Sequence, residues 1–270
     1  MTSEAWLKIV AAPGSDNYYA LRHISTTERQ AIVTILSFFN TIMDIPFIVT
    51  DDHVAHHKLQ WWQADIIKST QNTASHPLST EIASVIKEYQ LNHNALLQCI
   101  QTIENVIQNC QFPTEQSLRD FYTYTYGIRE RIIAKILSPN VAAVSEEIHH
   151  GAYALALVDN LKNIRQRTLK TYVFFSDEEA QTLSTNKNIV LTRQMSDDLK
   201  ELVSHHIKKI FYHADMVQNK KNHPALGPLI IRIELAKRWC TLIQEEDFPL
   251  FTDHIDLTPL RKWWYTRKIK

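Results

Sequence analysis

Apolar residues follow a helical period along most of the chain, and the clearest case lies near the N-terminus. Ser25 and Glu28 have the spacing of a capping box, which predicts a helix start at this point. The apolar positions that follow recur at helical intervals: Ile32, Ile35, Leu36, Phe39, Ile42 and Met43. Because Pro46 lacks the N–H that a helix interior needs, the pattern predicts a buried helix that breaks at this residue.

The remaining chain repeats this pattern. A second helix is predicted over 52–68, and a third opens after HPLST and continues through EIASVIKEYQLNHNALLQCIQTIENVIQ. Further helices are predicted at about 115–137, 143–167, 177–184, 195–217 and 225–244, with a short basic and aromatic helix at the C-terminus. The polar stretch 184–198 is predicted to be a mobile surface loop. Because no Pro-rich linker or internal repeat interrupts the pattern, we expect one all-α domain over residues 1–270.

Composition narrows the classes of function. Only 4 Gly and 9 Pro occur in 270 residues, which favours long helices over a sheet-rich fold, and no GxGxxG or GxxxxGK[ST] phosphate loop is present. The 29 basic residues balance 29 acidic ones, so no chain-wide field would attract nucleic acid, and none is expected as a partner.

The three cysteines and the N-terminus bear on localisation. An odd number of cysteines without CxxC spacing is typical of reduced thiols. The N-terminus lacks the features of a signal or transit peptide, and no uninterrupted apolar run reaches about 18 residues. We therefore expect a cytoplasmic protein that is either soluble or peripheral on the inner face of the membrane.

Several segments carry a resemblance to a known family. DNYYALRHISTTERQAIVTILSFFN, HKLQWWQADI with HPLSTEI, and AYALALVDNLKNIRQRTLKTYVFFSDEE together resemble the squalene/phytoene synthase family. The wording FFN…KLQWW and the tail FTDHIDLTPLRKWW resemble its non-catalytic branch, which includes a mitochondrial assembly factor for respiratory complex I. The resemblance implies an isoprenoid-synthase-type helical bundle around a deep, apolar central cavity.

The acidic motifs implied by this resemblance are degenerate. Active members hold Mg²⁺ against prenyl diphosphates with two acidic motifs on facing helices, since Mg²⁺ prefers carboxylate and phosphate oxygens. Where a D-D-x-x-D pattern is expected, the sequence reads Met43-Asp44-Ile45-Pro46-Phe47. The second motif falls on Asp159, Lys162, Asn163, Gln166 and Arg167, so two amides and a cation replace the expected acids. This predicts no catalytic residues, no metal site and no cofactor.

Two other interpretations of the acids and cations stay open. Asp44, Asp51, Asp52 and Asp159 could form a nonstandard Mg²⁺ site of an active prenyltransferase, although Asp51 and Asp52 also suit a helix cap. Lys162, Arg165 and Arg167 could form a basic face that binds an anionic headgroup without metal, or a solvated stripe. The other ligand-binding candidates are Arg22, Asn40, Trp61, Trp62 and Tyr126, with core packing as the alternative for the two Trp residues. The pairs His149-His150 and His205-His206 are interpreted as ordinary exposed histidines.

The C-terminal segment 260–270 combines cations with aromatic residues. It contains Arg261, Lys262, Arg267, Lys268 and Lys270 together with Trp263, Trp264 and Tyr265. This combination is typical of segments that contact a membrane surface, and the alternative is a helix docked on the bundle. Taken together, the sequence predicts a degenerate family member that acts by binding, in respiratory complex assembly or as a lipid or isoprenoid binder. The alternative is an active prenyltransferase that condenses isoprenoid diphosphates.

Overall fold

The computed structural model describes residues 3–252, 255–267 and 269, with side chains described from residue 6 onward. Within these residues the fold is all-α, as predicted, and no strand occurs. The helices are α1 (Ser3–Val10), α2 (Asp16–Leu21), α3 (Thr26–Ile48), α4 (Asp52–Ser69), α5 (Pro77–Tyr89), α6 (His93–Gln108), α7 (Glu115–Tyr122), α8 (Ile128–Leu137), α9 (Ser145–Lys162), α10 (Ile164–Leu169), α11 (Asp177–Thr182), α12 (Asp197–Val217), α13 (Gly227–Glu245) and α14 (Pro259–Thr266).

Helix α3 lies in the core and continues through its proline. Ser25 caps its start by accepting a hydrogen bond from the Glu28 N–H at 3.3 Å. The predicted break at Pro46 is wrong, because the helix ends only at Ile48 and the Val49 N–H still donates to the Ile45 carbonyl. A proline so close to the C-terminal end removes one intrahelical donor without disrupting the turns that precede it.

Helix α3 is also long and apolar enough to cross a membrane, by length and composition alone. In the bundle, 72% of its most apolar window is buried. Helices α1, α4, α5, α6 and α8 pack against it, while α9 packs against α12 and α13. The hydropathy of α3 is therefore accounted for by its position in the core.

Three predicted helices differ in their continuity. The third predicted helix is two, because Gln90 adopts φ 50 at the end of α5 and Asn92 caps a new start. The predicted 115–137 helix contains a π-helical turn over Thr123–Gly127 between α7 and α8. The predicted 143–167 helix is interrupted at Asn163, which joins α9 to α10.

The polar stretch 184–198 was predicted to be a surface loop, yet it contains buried residues. Lys187–Thr192 forms a 3₁₀ turn in which Lys187 and Val190 are buried. The ammonium of Lys187 lies 2.9 Å from the Asp177 carboxylate, which satisfies its charge at the start of α11. This stretch is thus packed onto the bundle rather than projecting from it.

Candidate functional site

Asp44 on α3 and Asp159 on α9, one from each predicted motif, lie close enough for their charges to interact. Asp159 is held by three neighbours: Arg167 Nη2 at 2.5 Å, Asn163 Nδ2 at 3.0 Å, and the hydroxyl of Tyr126, which donates a short hydrogen bond to Oδ2. The π-helical turn carries Tyr126 into this position, and the interruption at Asn163 brings Arg167 back over the end of α9. Both oxygens of the Asp159 carboxylate are therefore occupied.

Arg167 is a buried structural cation. Its side chain is 8% exposed, its Nη1 donates to Asn160 Oδ1 at 3.2 Å, and its guanidinium lies over the rings of Phe47 and Phe174. Burial alone would lower the pKa of Arg167, but the charge of Asp159 and the neighbouring tyrosines raise it above its usual value. The group is consequently charged at every relevant pH.

Asp44 keeps a free carboxylate at the surface. It makes no hydrogen bond or ion pair with any described residue, and it lines a groove of about 480 Å³ together with Asn40, Trp61 and Trp62. The pKa of Asp44 is raised to about 6, mainly because the surrounding protein displaces water from this carboxyl. The negative charge of Asp159 also raises the pKa, whereas the positive charge of Arg167 lowers it.

The other two acids of the alternative metal set lie elsewhere. Asp51 is the N-cap of α4, where its carboxylate accepts from the N–H groups of His53 and Val54, and Asp52 follows in the first turn. Both are exposed. The structure therefore does not gather Asp44, Asp51, Asp52 and Asp159 around one ion, because the first turn of α4 uses Asp51 as its cap.

The predicted basic face is also divided. Arg165 is exposed and donates only to the Thr252 carbonyl, at 3.4 Å, whereas Arg167 points into the bundle. Lys162 lies 3.1 Å from Asp16 and 3.7 Å from Asp256. These residues do not share a surface, because the interruption at Asn163 rotates α10 relative to α9.

A different set of cations lines the pocket beside Asp159. This pocket has a volume of about 220 Å³ and is lined by Arg129, Arg232 and Lys162 as well as Asp16 and Asp159. Arg129 and Arg232 both donate to the buried carboxylate of Glu130. Sequence analysis missed the two arginines, because single basic residues in apolar helices carry no motif. Only the charge within the apolar segments IRERIIAKIL, for Arg129, and LIIRIELA, for Arg232, could have drawn attention to them.

The remaining ligand-binding candidates divide between the groove and the core. Trp62 is buried and packs edge-on against Phe38, whereas Trp61 is 45% exposed. Asn40 is exposed and borders both the groove and the pocket. Arg22 lies away from the pocket, where its Nε contacts His23 at 2.8 Å.

A second polar cluster joins α7, α11 and α12. Lys209 Nζ lies 2.5 Å from Glu115 and 2.7 Å from the buried Glu179, and His206 Nε2 lies 2.9 Å from Glu179. The interpretation of His206 as an exposed residue is wrong, because its side chain is fully buried on the inner side of α12. Although Glu115, Glu179 and His205 are close enough to hold a metal, the ammonium of Lys209 already balances these carboxylates.

The sequence matches the squalene/phytoene synthase family over residues 10–264. The chain belongs to this family. Its fold is similar to the crystal structure of a dehydrosqualene synthase in complex with ligand, with a TM-score of 0.86 and 11% identity over 99% of this chain and 94% of that chain. No curated protein matches the sequence closely enough to serve as a comparison.

Two further structures are similar to this squalene/phytoene synthase family member. Squalene synthase HpnC from Alicyclobacillus acidocaldarius has a TM-score of 0.74 and 14% identity, over 91% of this chain and 94% of that chain. YisP from Bacillus subtilis has a TM-score of 0.73 and 11% identity, over 98% of this chain and 94% of that chain. At these identities the similarity establishes the isoprenoid-synthase-type fold.

The residues present do not fit the Mg²⁺ ions that this family implies. An ion bound to Asp159 Oδ2 at about 2.1 Å would lie within about 4.6 Å of Arg167 Nη2. The repulsion between charges of +2 and +1 at that distance is about 7 kcal/mol at an effective dielectric constant of ~20. Asp44 supplies one carboxylate, the minimum of the one or two that commonly bind Mg²⁺ together with substrate phosphates, and Asp159 is already paired with Arg167.

The interior beside Arg167 is densely packed. The void beside Arg167 has a volume of about 10 Å³, which is the size of one water molecule. Its walls are aromatic and aliphatic: Met43, Pro46, Phe47, Ile103, Val106, Phe121, Tyr126 and Phe174. At this position in the described part of the chain, these side chains pack against one another and leave room for about one water molecule.

Proposed function

We propose that this family member acts by binding and does not ionise prenyl diphosphates. The observation that carries the proposal is the carboxylate of Asp159, which accepts hydrogen bonds from Arg167, Tyr126 and Asn163. Ionisation of an allylic diphosphate requires positive charge on the leaving group. The guanidinium of Arg167 does not supply it, because Asp159 already neutralises this charge.

The direct test is diphosphate release from farnesyl diphosphate with and without Mg²⁺. We expect release by the purified protein to equal that of the metal-free control. Asp44→Asn serves as the matched variant, since Asp44 is the only unpaired acid that the described residues direct toward the groove. Release that requires Mg²⁺ and disappears in Asp44→Asn would overturn the proposal in favour of a prenyltransferase with a nonstandard site.

We propose assembly of a membrane respiratory complex as the process served by binding. The support is the resemblance of the FFN…KLQWW and C-terminal segments to the non-catalytic branch, together with the dense packing beside Arg167, which leaves no room for a long prenyl chain at that position. In cells lacking the protein, we expect less assembled respiratory complex I on native gels, and full rescue by Asp44→Asn. Unchanged complex I levels would contradict this role.

Lipid binding is the second candidate, and the surface groove favours it. The groove of about 480 Å³ is lined by apolar side chains from α1, α3 and α4, including Trp6, Ile48 and Trp61, with Lys58 at its edge. A groove of this volume accommodates part of an acyl chain on the surface of the bundle. Mass spectrometry of the purified protein should detect a co-purified lipid, and Ile48→Glu should remove it; a lipid-free protein would exclude this candidate.

A further inference from the structure

Helix α14 is fixed to the bundle by its polar side. The side chain of Lys262 is 3% exposed, and its ammonium contacts Asp16 Oδ1 at 2.8 Å and Asp256 Oδ2 at 2.6 Å. The hydroxyl of Tyr19 donates to the Pro259 carbonyl at 2.7 Å, which attaches the start of the helix to α2. These contacts determine which face of α14 is turned outward.

The outward face is the apolar one. Leu260, Trp263, Trp264 and Arg267 are spaced three, four and seven residues from the first, so they lie on one side of the helix. Leu260 is 73% exposed, Trp263 43% and Trp264 45%. A surface helix of a globular protein normally buries its apolar side, so α14 has the reverse arrangement: a lysine inside and two indoles outside.

Cations surround this apolar face. Arg261 and Arg267 are exposed, and the Arg267 guanidinium lies 3.7 Å from the centre of the Trp264 ring. Arg267 also lines an adjoining groove of about 720 Å³ with Arg22, His23 and Lys221. The acid in the lining of that groove is Glu234, which is paired with Arg238 at 2.9 Å. The surroundings of the two indoles are thus positively charged.

We propose that this face of α14 docks onto an anionic lipid bilayer. Leu260, Trp263 and Trp264 enter the interface between headgroups and acyl chains, while Arg261 and Arg267 contact lipid phosphates. A helix of eight residues is only about 12 Å long, which is too short to supply the roughly 800 Å² per partner of a stable protein interface. An anionic membrane surface matches both the size of the apolar patch and the charge around it. The proposal is independent of whether the central site is catalytic.

The test is flotation of the full-length protein with vesicles of phosphatidylcholine alone or with added phosphatidylglycerol. We expect binding to the anionic vesicles that weakens in high salt. Arg261→Glu with Arg267→Glu should reduce partitioning by at least roughly thirtyfold, since each lost cation accounts for roughly fivefold near an anionic surface. Leu260→Ser with Trp263→Ser and Trp264→Ser should reduce it by at least tenfold.

Ile67→Ser is the matched control, because Ile67 is 44% exposed, much like Trp263 and Trp264, but lies on α4. It should float like the unaltered protein, and thermal melting should show that every variant is folded. As a second readout, brominated lipids should quench tryptophan emission in the control and not in the Trp263→Phe, Trp264→Phe variant. Equal flotation of the α14 variants and the control would overturn the proposal. It would also be overturned if the α14 variants lose self-association but still bind the vesicles.

Discussion

Replacing Arg167 with methionine tests the electrostatic argument about the central site. The ion pair with Asp159 contributes about 1 kcal/mol to stability, because the Asp159 side chain is 38% exposed and screened by solvent. Losing the donor to the buried Asn160 Oδ1 costs about 1–2 kcal/mol more. The contacts with the Phe47 and Phe174 rings add about 1 kcal/mol, part of which the methionine recovers by apolar packing. We expect the free energy of unfolding in urea to fall by about 2–4 kcal/mol.

The same substitution should raise affinity for Mg²⁺. Removing the guanidinium leaves Asp159 Oδ2 with the Tyr126 hydroxyl as its remaining donor and abolishes the repulsion of a divalent ion, so titration calorimetry should give a dissociation constant at least about tenfold lower than that of the unaltered protein. Arg167 lowers the pKa of Asp44, and its loss should therefore move that pKa above about 6, measured by NMR titration of the side-chain carboxyl.

Arg165→Met is the matched control for both measurements. Arg165 lies two residues before Arg167 on α10, is exposed, and makes a single long hydrogen bond to Thr252, so its replacement should change neither stability nor Mg²⁺ affinity appreciably. If a folded Arg167→Met variant binds Mg²⁺ no better than Arg165→Met, the guanidinium is not what excludes the ion, and the reasoning about the site is refuted.

Three further substitutions have directions fixed by the structure. The pKa of Asp44 is raised from 3.8 to about 6 in the folded protein, so ionisation of this carboxyl destabilises the fold above pH 6. Asp44→Asn should therefore raise the unfolding free energy in urea by about 1 kcal/mol at pH 8 and leave it unchanged at pH 3. Burial acts to raise the pKa of Glu179, but His206 and Lys209 hold this pKa well below 4.5. The ionised carboxylate therefore stabilises the fold above pH 4.5, and this stabilisation is lost in acid. Glu179→Gln should lower the unfolding free energy by about 3–5 kcal/mol at pH 7, and no loss would contradict the buried ion pair. A Cβ on Gly151 would lie 2.7 Å from Leu229 Cδ2, so Gly151→Ala should lower the unfolding free energy by about 1–3 kcal/mol, and an unchanged melting temperature would show that α13 yields.

The helical fold was predictable from the sequence because apolar periodicity reports burial directly. Predicted helix positions such as 52–68 and 195–217 agree closely with α4 and α12. The interruptions were less visible. Gln90 adopts a left-handed conformation without being Gly or Asn, and the π-helical turn at Thr123–Gly127 leaves the apolar pattern on either side intact. Local propensity does not encode either feature, since both depend on tertiary packing.

The residue types at the central site could be predicted from the sequence, but the contacts among their side chains could not. The family resemblance predicts acids at the positions of Asn163 and Arg167, but the sequence does not distinguish an exposed arginine from one that is buried and bonded to Asp159. The prediction of one basic face failed because it assumed a continuous helix from Lys162 to Arg167, whereas Asn163 ends α9 between them. A break of a single residue redirected one cation to the core and another to solvent.

The substitutions in the second motif act together in the folded chain. Asn163 ends α9 and donates from its side chain to both the backbone carbonyl and the carboxylate of Asp159. Because of that interruption, Arg167 reaches the same carboxylate. Its buried guanidinium is accommodated by the rings of Phe47 and Phe174 and by the side-chain oxygen of Asn160. Replacing either residue alone with an acid would leave a buried partner unsatisfied, since the remaining groups were positioned by the other substitution. A carboxylate at either position would therefore need compensating changes among the residues that now contact Asp159.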